Sequence, residues 1–144
     1  MVYGSPRYSL FEGSYKGNPV IEILKDKEPF WDHFSGHKSH FRFGLNKAEL
    51  ILYCLEIIEG FVKFNGSHPK YESPVLYETD EGFEFSVKTN SYFERNGKTI
   101  YSPYIELSAG LTTIKFGLQK AAAILELQDE IYQFYVKHTE PSPK

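Results

Sequence analysis

The sequence is poor in cysteine and in net charge of either sign. Its one cysteine, Cys54, excludes an internal disulfide and a cysteine-based zinc site. Lysine and arginine together number 16 against 19 aspartates and glutamates, which gives a formal charge of −3. No overall charge therefore steers the chain toward nucleic acid or an acidic membrane. Any site for a polyanion must be a local patch.

Long apolar runs are missing as well. No segment approaches the roughly 18 apolar residues of a membrane helix, and the first residues lack the apolar region of a signal peptide. A single cysteine suits a reducing compartment, so we expect a cytoplasmic protein without a membrane partner. Nucleophile elbows, phosphate-binding loops and dinucleotide-binding glycine motifs are also missing. We therefore expect no enzymatic activity and no cofactor.

What the chain does contain is an internal repeat. Residues 40–61 align with residues 113–134 after a shift of 73 positions. The identical pairs are Phe43/Phe116, Gly44/Gly117, Leu45/Leu118, Lys47/Lys120, Ala48/Ala121, Ile51/Ile124, Leu52/Leu125, Ile58/Ile131 and Phe61/Phe134. Repetition at a fixed offset sets the architecture of a chain. Here it predicts two halves, each ending in a strand, a tight turn and a helix.

The repeat and the strand patterns together predict an α+β fold. We expect two ββββα repeats, at about 6–64 and 74–137, whose antiparallel sheets pack together and are braced by two helices. The repeats form one pseudo-symmetric domain, 1–138, and residues 139–144 form a disordered tail.

Local signals place some of the boundaries. Gly and Ser at 13–14 predict the break between the first two strands, and Asn-Gly at 96–97 predicts a hairpin turn. Asn46 is the predicted N-cap of the first helix, with Glu49 completing a capping box. Each helix should bury one stripe of apolar side chains. The stripes are Ile51, Cys54 or Leu55, Ile58 and Phe61 or Val62 in the first helix, and Ile124, Leu127, Ile131 and Phe134 in the second.

Three histidines fall close together beside an aspartate. His33, His37 and His40 next to Asp32 have a spacing that could hold a metal ion if the segment were helical. Gly36 makes a helix unfavourable here. We therefore predict a solvated polar loop and no metal site.

Cations and aromatic rings supply the candidate site. Single-stranded nucleic acid needs a cationic groove along its backbone and rings on which its bases stack. Three cations alternate with apolar residues on predicted strands, another opens a strand, and many of the 12 Phe, 11 Tyr and one Trp fit no core stripe. The candidate binding residues are Tyr15, Lys16, Trp31, Phe34, Arg42, Lys88, Tyr92, Tyr101 and Lys115.

Three short stretches resemble the Whirly family, which is related to the positive-cofactor transcriptional coactivators. YKGNPVIEI at 15–23 resembles the strand that carries the KGKAAL motif, with Lys16 and Gly17 at its first two positions. FSVKTN at 85–90 and IYSPYI at 100–105 resemble two later strands. The layout of four strands and a helix, used twice, resembles the family over most of the chain.

The resemblance implies a non-enzymatic protein that binds single-stranded DNA with little sequence preference, in replication, repair or transcription. Bases would lie between aromatic and apolar residues at sheet edges, and Lys16 and Gly17 would join the binding residues. The strand would run between neighbouring subunits or sheets. We also expect a homo-oligomer, a dimer or higher. From the residues themselves, we expect the first helix to be the interface, because Leu52, Leu55 and Val62 widen its apolar surface.

Two alternatives stay open. One is an RNA-binding protein with the same surface, because stacking on rings does not reject the 2′-hydroxyl. The other is a protein-interaction module, which the net negative charge and the apolar first helix favour. Cations clustered on one face would favour nucleic acid, whereas cations dispersed among carboxylates would favour a protein partner. The cations concerned are Lys16, Arg42, Lys88 and Lys115, and the carboxylates include Glu12, Glu22, Glu84 and Glu106.

Overall fold

The computed structural model describes residues 7–32, 34–66 and 69–139, and over these ranges the chain is α+β. The first half contains β1 (Tyr8–Tyr15), β2 (Asn18–Lys25), β3 (Phe30–Asp32), β4 (His37–Ser39), β5 (Phe41–Gly44), α1 (Leu45–Tyr53) and α2 (Leu55–Lys63). A 3₁₀ turn at Pro69–Tyr71 leads to the second half. That half contains β6 (Val75–Glu78), β7 (Glu84–Asn90), β8 (Phe93–Arg95), β9 (Lys98–Ile100), β10 (Tyr104–Ala109), β11 (Thr112–Gly117), α3 (Leu118–Glu126) and α4 (Gln128–Thr139).

The strands form two main antiparallel sheets that share a plan. One sheet has the order β1-β2-β5 and the other has the order β11-β10-β7-β6. In each half the strand before the helix pairs with a central strand, which pairs in turn with an earlier one. A two-stranded hairpin is inserted in each half: β3-β4 lies between β2 and β5, and β8-β9 lies between β7 and β10. The halves differ because only the second sheet has a fourth strand, β6.

A single hydrophobic core joins the two halves. Alternation along the strands turns one face of each sheet inward, where Phe43 lies opposite Ile21 and Phe116 lies opposite Ile105. The rings of Phe41 and Phe116, from the two different sheets, have centroids 6.3 Å apart. The predicted helix stripes are confirmed, since their members are buried in the same core. These are Ile51, Cys54, Ile58 and Phe61 in the first half and Ile124, Leu127, Ile131 and Phe134 in the second.

Each predicted helix is divided into two at an equivalent residue. The break falls at Cys54 (φ −104°, ψ 11°) and at Leu127 (φ −102°, ψ 18°), which are 73 positions apart. Their ψ values lie far from the helical value of about −42°. The bend lets α1 pack against α4 while α2 packs against α3. Cys54 is fully buried, and burial raises the pKa of its thiol to about 12.

The predicted capping box of the first helix is wrong. β5 runs to Gly44, whose backbone is extended (φ −100°, ψ −160°), and the helix begins at the next residue without a side-chain cap. Asn46 is therefore already inside α1. The carboxylate of Glu49 instead accepts a hydrogen bond of 2.5 Å from the hydroxyl of Tyr135 on α4. Its side chain joins the two halves, which a local sequence pattern could not reveal.

The predicted strand break at 13–14 is also wrong. β1 continues to Tyr15, and the turn consists of Lys16 and Gly17, with φ of 53° and 80°. A two-residue hairpin turn of type I′ needs positive φ at both positions. Gly17 adopts it at no steric cost, whereas Lys16 adopts a left-handed backbone that is unusual for a residue with a side chain. The turn predicted at 96–97 is confirmed, with φ of 53° and 75°.

Helix α4 closes the described part of the chain. Thr139, the first residue of the predicted tail, is its last residue, and residues 140–144 lie outside the described ranges. Among the helices of those ranges, none is both long enough and apolar enough to cross a membrane.

Gly66 ties the end of α2 to the second half, and its replacement is a test of that junction. Its φ is 85°, and an added Cβ would lie 2.3 Å from Cβ of Pro103. We expect Gly66→Ala to lose about 1–2 kcal/mol through the left-handed backbone and about 1–3 kcal/mol more through overpacking. Urea unfolding measures the sum of these two losses in the free energy of unfolding.

Gly97→Ala is the matched control. Its φ is 75°, but open space surrounds the position. It should lose only the backbone contribution, and equal losses for the two variants would contradict the close contact at Pro103.

Candidate functional site

The outward face of the four-stranded sheet carries a row of alternating charges. Lys88 on β7, Glu106 on β10 and Lys115 on β11 lie directly opposite one another. Such cross-strand neighbours have Cβ atoms about 4.5–5.5 Å apart. Among the described residues, the ion pairs involve neither lysine. Two cations thus flank one carboxylate.

An aromatic patch, formed by Phe34, Phe93 and Tyr104, lies next to this row. The ring of Phe34 is 4.5 Å from that of Phe93 and 5.2 Å from that of Tyr104, between centroids. The ammonium of Lys115 lies 4.4 Å from the centroid of Phe34 and 5.4 Å from that of Tyr104. These distances are in the cation–π range. The patch therefore joins a cation to a set of rings.

Asp32 holds Phe34 in place at the tip of the β3-β4 hairpin. Its carboxylate accepts hydrogen bonds from the Phe34 amide at 2.9 Å and from the Ser35 hydroxyl at 3.0 Å. Burial disfavours the charge on Asp32, but these hydrogen bonds outweigh burial and lower its pKa. The carboxylate is thereby engaged in its own loop, and the ring of Phe34 is presented to the sheet of the second half.

A cavity of about 240 Å³ opens beside the aromatic patch, and we call it the second-repeat cavity. It is smaller than the roughly 300–1,000 Å³ of pockets for drug-sized ligands. Burial lowers the pKa of Lys120 in its wall, while the charge of Asp32 opposes this effect. Aromatic rings and hydrogen-bonding side chains make up most of the wall. They include Trp31, Phe34, Tyr104, Ser102, Gln119 and Lys120.

Three further predicted residues lie in the same part of the molecule. Trp31 on β3 is 48% exposed and lines the second-repeat cavity. Tyr92 directly precedes β8 and Tyr101 directly follows β9, so both lie at the open end of the β8-β9 hairpin. Their ring centroids are 6.2 Å apart, and Tyr101 is 82% exposed. Rings this accessible are available for stacking.

The other predicted residues gather on the three-stranded sheet. Lys16 and Gly17 form the turn between β1 and β2, so the expectation that Lys16 projects from a strand is wrong. The ammonium of Lys16 lies 5.4 Å from the centroid of the Tyr15 ring. Arg42 projects from the outward face of β5. Tyr15 and Arg42 both line a second, broader cavity, the first-repeat cavity, of about 860 Å³.

Glu22 partly neutralises Arg42. The two residues are directly opposite on β2 and β5, and the guanidinium donates to the carboxylate at 3.2 Å. His40 contacts the other oxygen of the same carboxylate at 2.5 Å. Burial opposes ionisation of Glu22, but the hydrogen bonds from His40 and Arg42 together outweigh it and lower its pKa.

The four predicted cations therefore do not form one cluster. Lys88 and Lys115 lie on one sheet with Glu106 between them. On the other sheet Arg42 lies beside Glu22, and Lys16 lies in the turn between β1 and β2. Cations dispersed among carboxylates were expected to favour a protein partner, so charge placement alone points to a protein partner. The aromatic patch and the cavity with its half-buried Lys120 offer the rings and the cation that a nucleic acid would need.

The predicted polar histidine segment adopts the β3-β4 hairpin. His33 lies outside the described residues, Nδ1 of His37 is 3.3 Å from the Ser35 carbonyl oxygen, and His40 contacts Glu22. Over the described ranges, no group of three or more histidine, cysteine, aspartate or glutamate side chains is placed to hold a metal ion.

Some residues of the site were absent from the sequence-based set. Phe93 and Tyr104 complete the aromatic patch, and Lys120, Gln119 and Ser102 line the cavity. The signal for Lys120 was present, because it repeats Lys47. Phe93 and Tyr104 also gave a signal, because neither ring fits a core stripe, but only the folded hairpins bring them to Phe34.

Comparisons of the chain with protein-family models and with curated proteins give no match.

The Glu22 contacts predict a dependence of stability on pH. A carboxyl whose pKa is lowered by folding stabilises the fold above its unfolded pKa, and this contribution disappears as the pH falls through the folded pKa. Glu22→Gln should therefore lose up to about 1 kcal/mol at neutral pH and nothing well below the ordinary value of 4.5. Urea unfolding across this range measures the difference, and a loss that persists at acid pH would contradict the assignment.

Proposed function

We propose that the chain is a non-enzymatic protein that binds single-stranded DNA with little sequence preference. The observation that carries the proposal is the ammonium of Lys115 over the rings of Phe34 and Tyr104. Single-strand binding combines rings that stack on bases with cations that contact the phosphates next to them. Stacking on a ring is tolerant of sequence because every base has an aromatic face.

The charges around the aromatic patch support an anionic ligand. Lys88, Lys115 and Lys120 approach this region, and the nearby carboxylates are Glu106 and Asp32. Asp32 is already engaged by hydrogen bonds within its hairpin. The local balance is therefore positive although the chain as a whole is negative.

The finer description of the fold belongs to the same proposal. We propose that the two halves are ββββα repeats in a Whirly-like arrangement and that the chain acts in the cytoplasm in replication, repair or transcription. The shared strand order of the two sheets supports the repeats. Self-association as a dimer or higher oligomer through the first helix is supported by a groove in which Leu52 and Leu55 lie beside the exposed Tyr53 and Tyr132.

Two other functions have support of their own. RNA could use the same rings and cations. A protein partner is favoured by the pairing of Arg42 with Glu22 and by the exposed side chains of Leu76 and Leu111. The experiment below separates all three.

Trp31 is the only tryptophan and lies in the wall of the second-repeat cavity, so its fluorescence reports on that site. We expect a mixed-sequence DNA single strand to quench it, and duplex DNA and RNA of the same sequence to do so less. The affinity should fall as salt rises, with a slope of about −0.7 per phosphate contacted. A response to RNA alone would favour the RNA alternative. No response to any nucleic acid at low salt would contradict the proposal and favour a protein partner.

Substitution of Lys115 tests whether its ammonium, which lies over the rings of Phe34 and Tyr104, contacts the ligand. Lys115→Gln should weaken binding and reduce the salt slope by about 0.7, because one phosphate contact is lost. Lys63→Gln is the matched control, since Lys63 is an exposed lysine at the end of α2 that lines neither cavity. Thermal unfolding checks that both variants are folded. Equal binding by the two variants would contradict the role of Lys115.

A further inference from the structure

The strand-to-helix junctions of the two halves are copies of each other. Residues 44–47 and 117–120 read Gly-Leu-Asn-Lys and Gly-Leu-Gln-Lys. Gly44 has φ −100° and ψ −160°, and Gly117 has φ −93° and ψ −166°. Each helix begins at the leucine, so Lys47 and Lys120 both occupy its third position.

The strand that passes each glycine is equivalent too. An added Cβ on Gly44 would lie 3.4 Å from the carbonyl oxygen of Pro19, and one on Gly117 would lie 3.3 Å from that of Pro103. These prolines occupy corresponding positions, because each directly precedes the residue that pairs with the glycine, Val20 with Gly44 and Tyr104 with Gly117. The two halves thus share the glycine with its backbone angles, the proline that faces it and the lysine at the third helical position.

Each junction forms part of the wall of one cavity, and the two cavities offer corresponding chemistry. The second-repeat cavity has Lys120, an amide, a hydroxyl and the ring of Tyr104. The first-repeat cavity has Lys47, the amides of Asn18 and Asn46, and the ring of Tyr15, together with the hydroxyls of Thr112 and Thr113 from β11. In the second-repeat cavity the amide is Gln119, the repeat equivalent of Asn46, and the hydroxyl is Ser102.

Charge is also matched between the cavities. Arg42 lines the first-repeat cavity, and its repeat equivalent Lys115 covers two rings that line the second. Lys16 adds a cation over the ring of Tyr15. The split of the predicted cations between two sheets then has an explanation, because each cavity has its own cations and rings. Both cavities are lined by residues of both halves, since Phe34 lines the second-repeat cavity and Thr112 and Thr113 line the first-repeat cavity.

We propose that the first-repeat cavity is a second nucleotide subsite, so that one chain holds a single strand of DNA at two equivalent points. Lys47 and Arg42 contact a phosphate there, and the base lies against Tyr15. This inference rests on the proposed function and adds to it a defined stoichiometry. Two linked contacts hold one strand more tightly than either does alone, because the second contact is intramolecular.

The test compares oligonucleotides of about 4 and about 16 nucleotides, which bracket the usual site sizes of single-strand-binding folds. Isothermal titration calorimetry at low salt should show two short oligonucleotides per chain but one long oligonucleotide per chain. Lys47→Gln should weaken one of the two short-oligonucleotide sites roughly tenfold, and binding of the long one by a similar factor, as expected for loss of one charged hydrogen bond. Lys120→Gln should have the same effect through the other subsite, and Lys63→Gln should match the unmodified chain.

The outcomes separate this inference from the proposed function. One short oligonucleotide per chain, together with normal binding of the long one by Lys47→Gln, would overturn the second subsite and leave single-strand binding intact. No binding of either oligonucleotide by the unmodified chain would overturn both. Because Lys47 is only half-buried on the surface of α1, its replacement leaves the core unchanged, and thermal unfolding verifies this.

Discussion

The burial of both helix stripes in one core is the constraint on which the rest of the structure depends. Each half offers a sheet with one apolar face and a bent helix, and neither can cover its apolar surface alone. The contact between Phe41 and Phe116 and the packing of α1 on α4 and of α2 on α3 join the halves. Because the inward faces are used in this way, the outward faces of the sheets and the strand-to-helix junctions line the surface cavities.

The internal repeat made much of this fold predictable. Periodic apolar residues identify both helix stripes, and alternation identifies β5 and β11, because burial of one face imposes these patterns on the sequence. The positions of the two helix breaks also follow the repeat, since Cys54 and Leu127 correspond under the same shift. The break itself was not predictable, because neither residue is a glycine or proline and the bend arises from packing between the halves.

The candidate site was less accessible to sequence reasoning. Lys115 and Phe34 were both identified as binding residues, but their contact spans 81 positions (115 − 34) and depends on the β3-β4 hairpin reaching the other sheet. The polar composition of that hairpin favoured a loop with at most one short strand. Likewise Glu22 and Arg42 were assigned to opposing hypotheses, while the register of β2 and β5 pairs them directly. Long-range pairing of this kind is set by tertiary structure rather than by local patterns.

Amide chemical shifts of the isotope-labelled chain, recorded during titration with a DNA single strand of about 16 nucleotides, test the central claim most directly. The account predicts that the largest changes fall at both strand-to-helix junctions, 44–47 and 117–120, together with the indole signal of Trp31. Changes confined to the groove beside Tyr53 and Tyr132, or no changes at all, would contradict it.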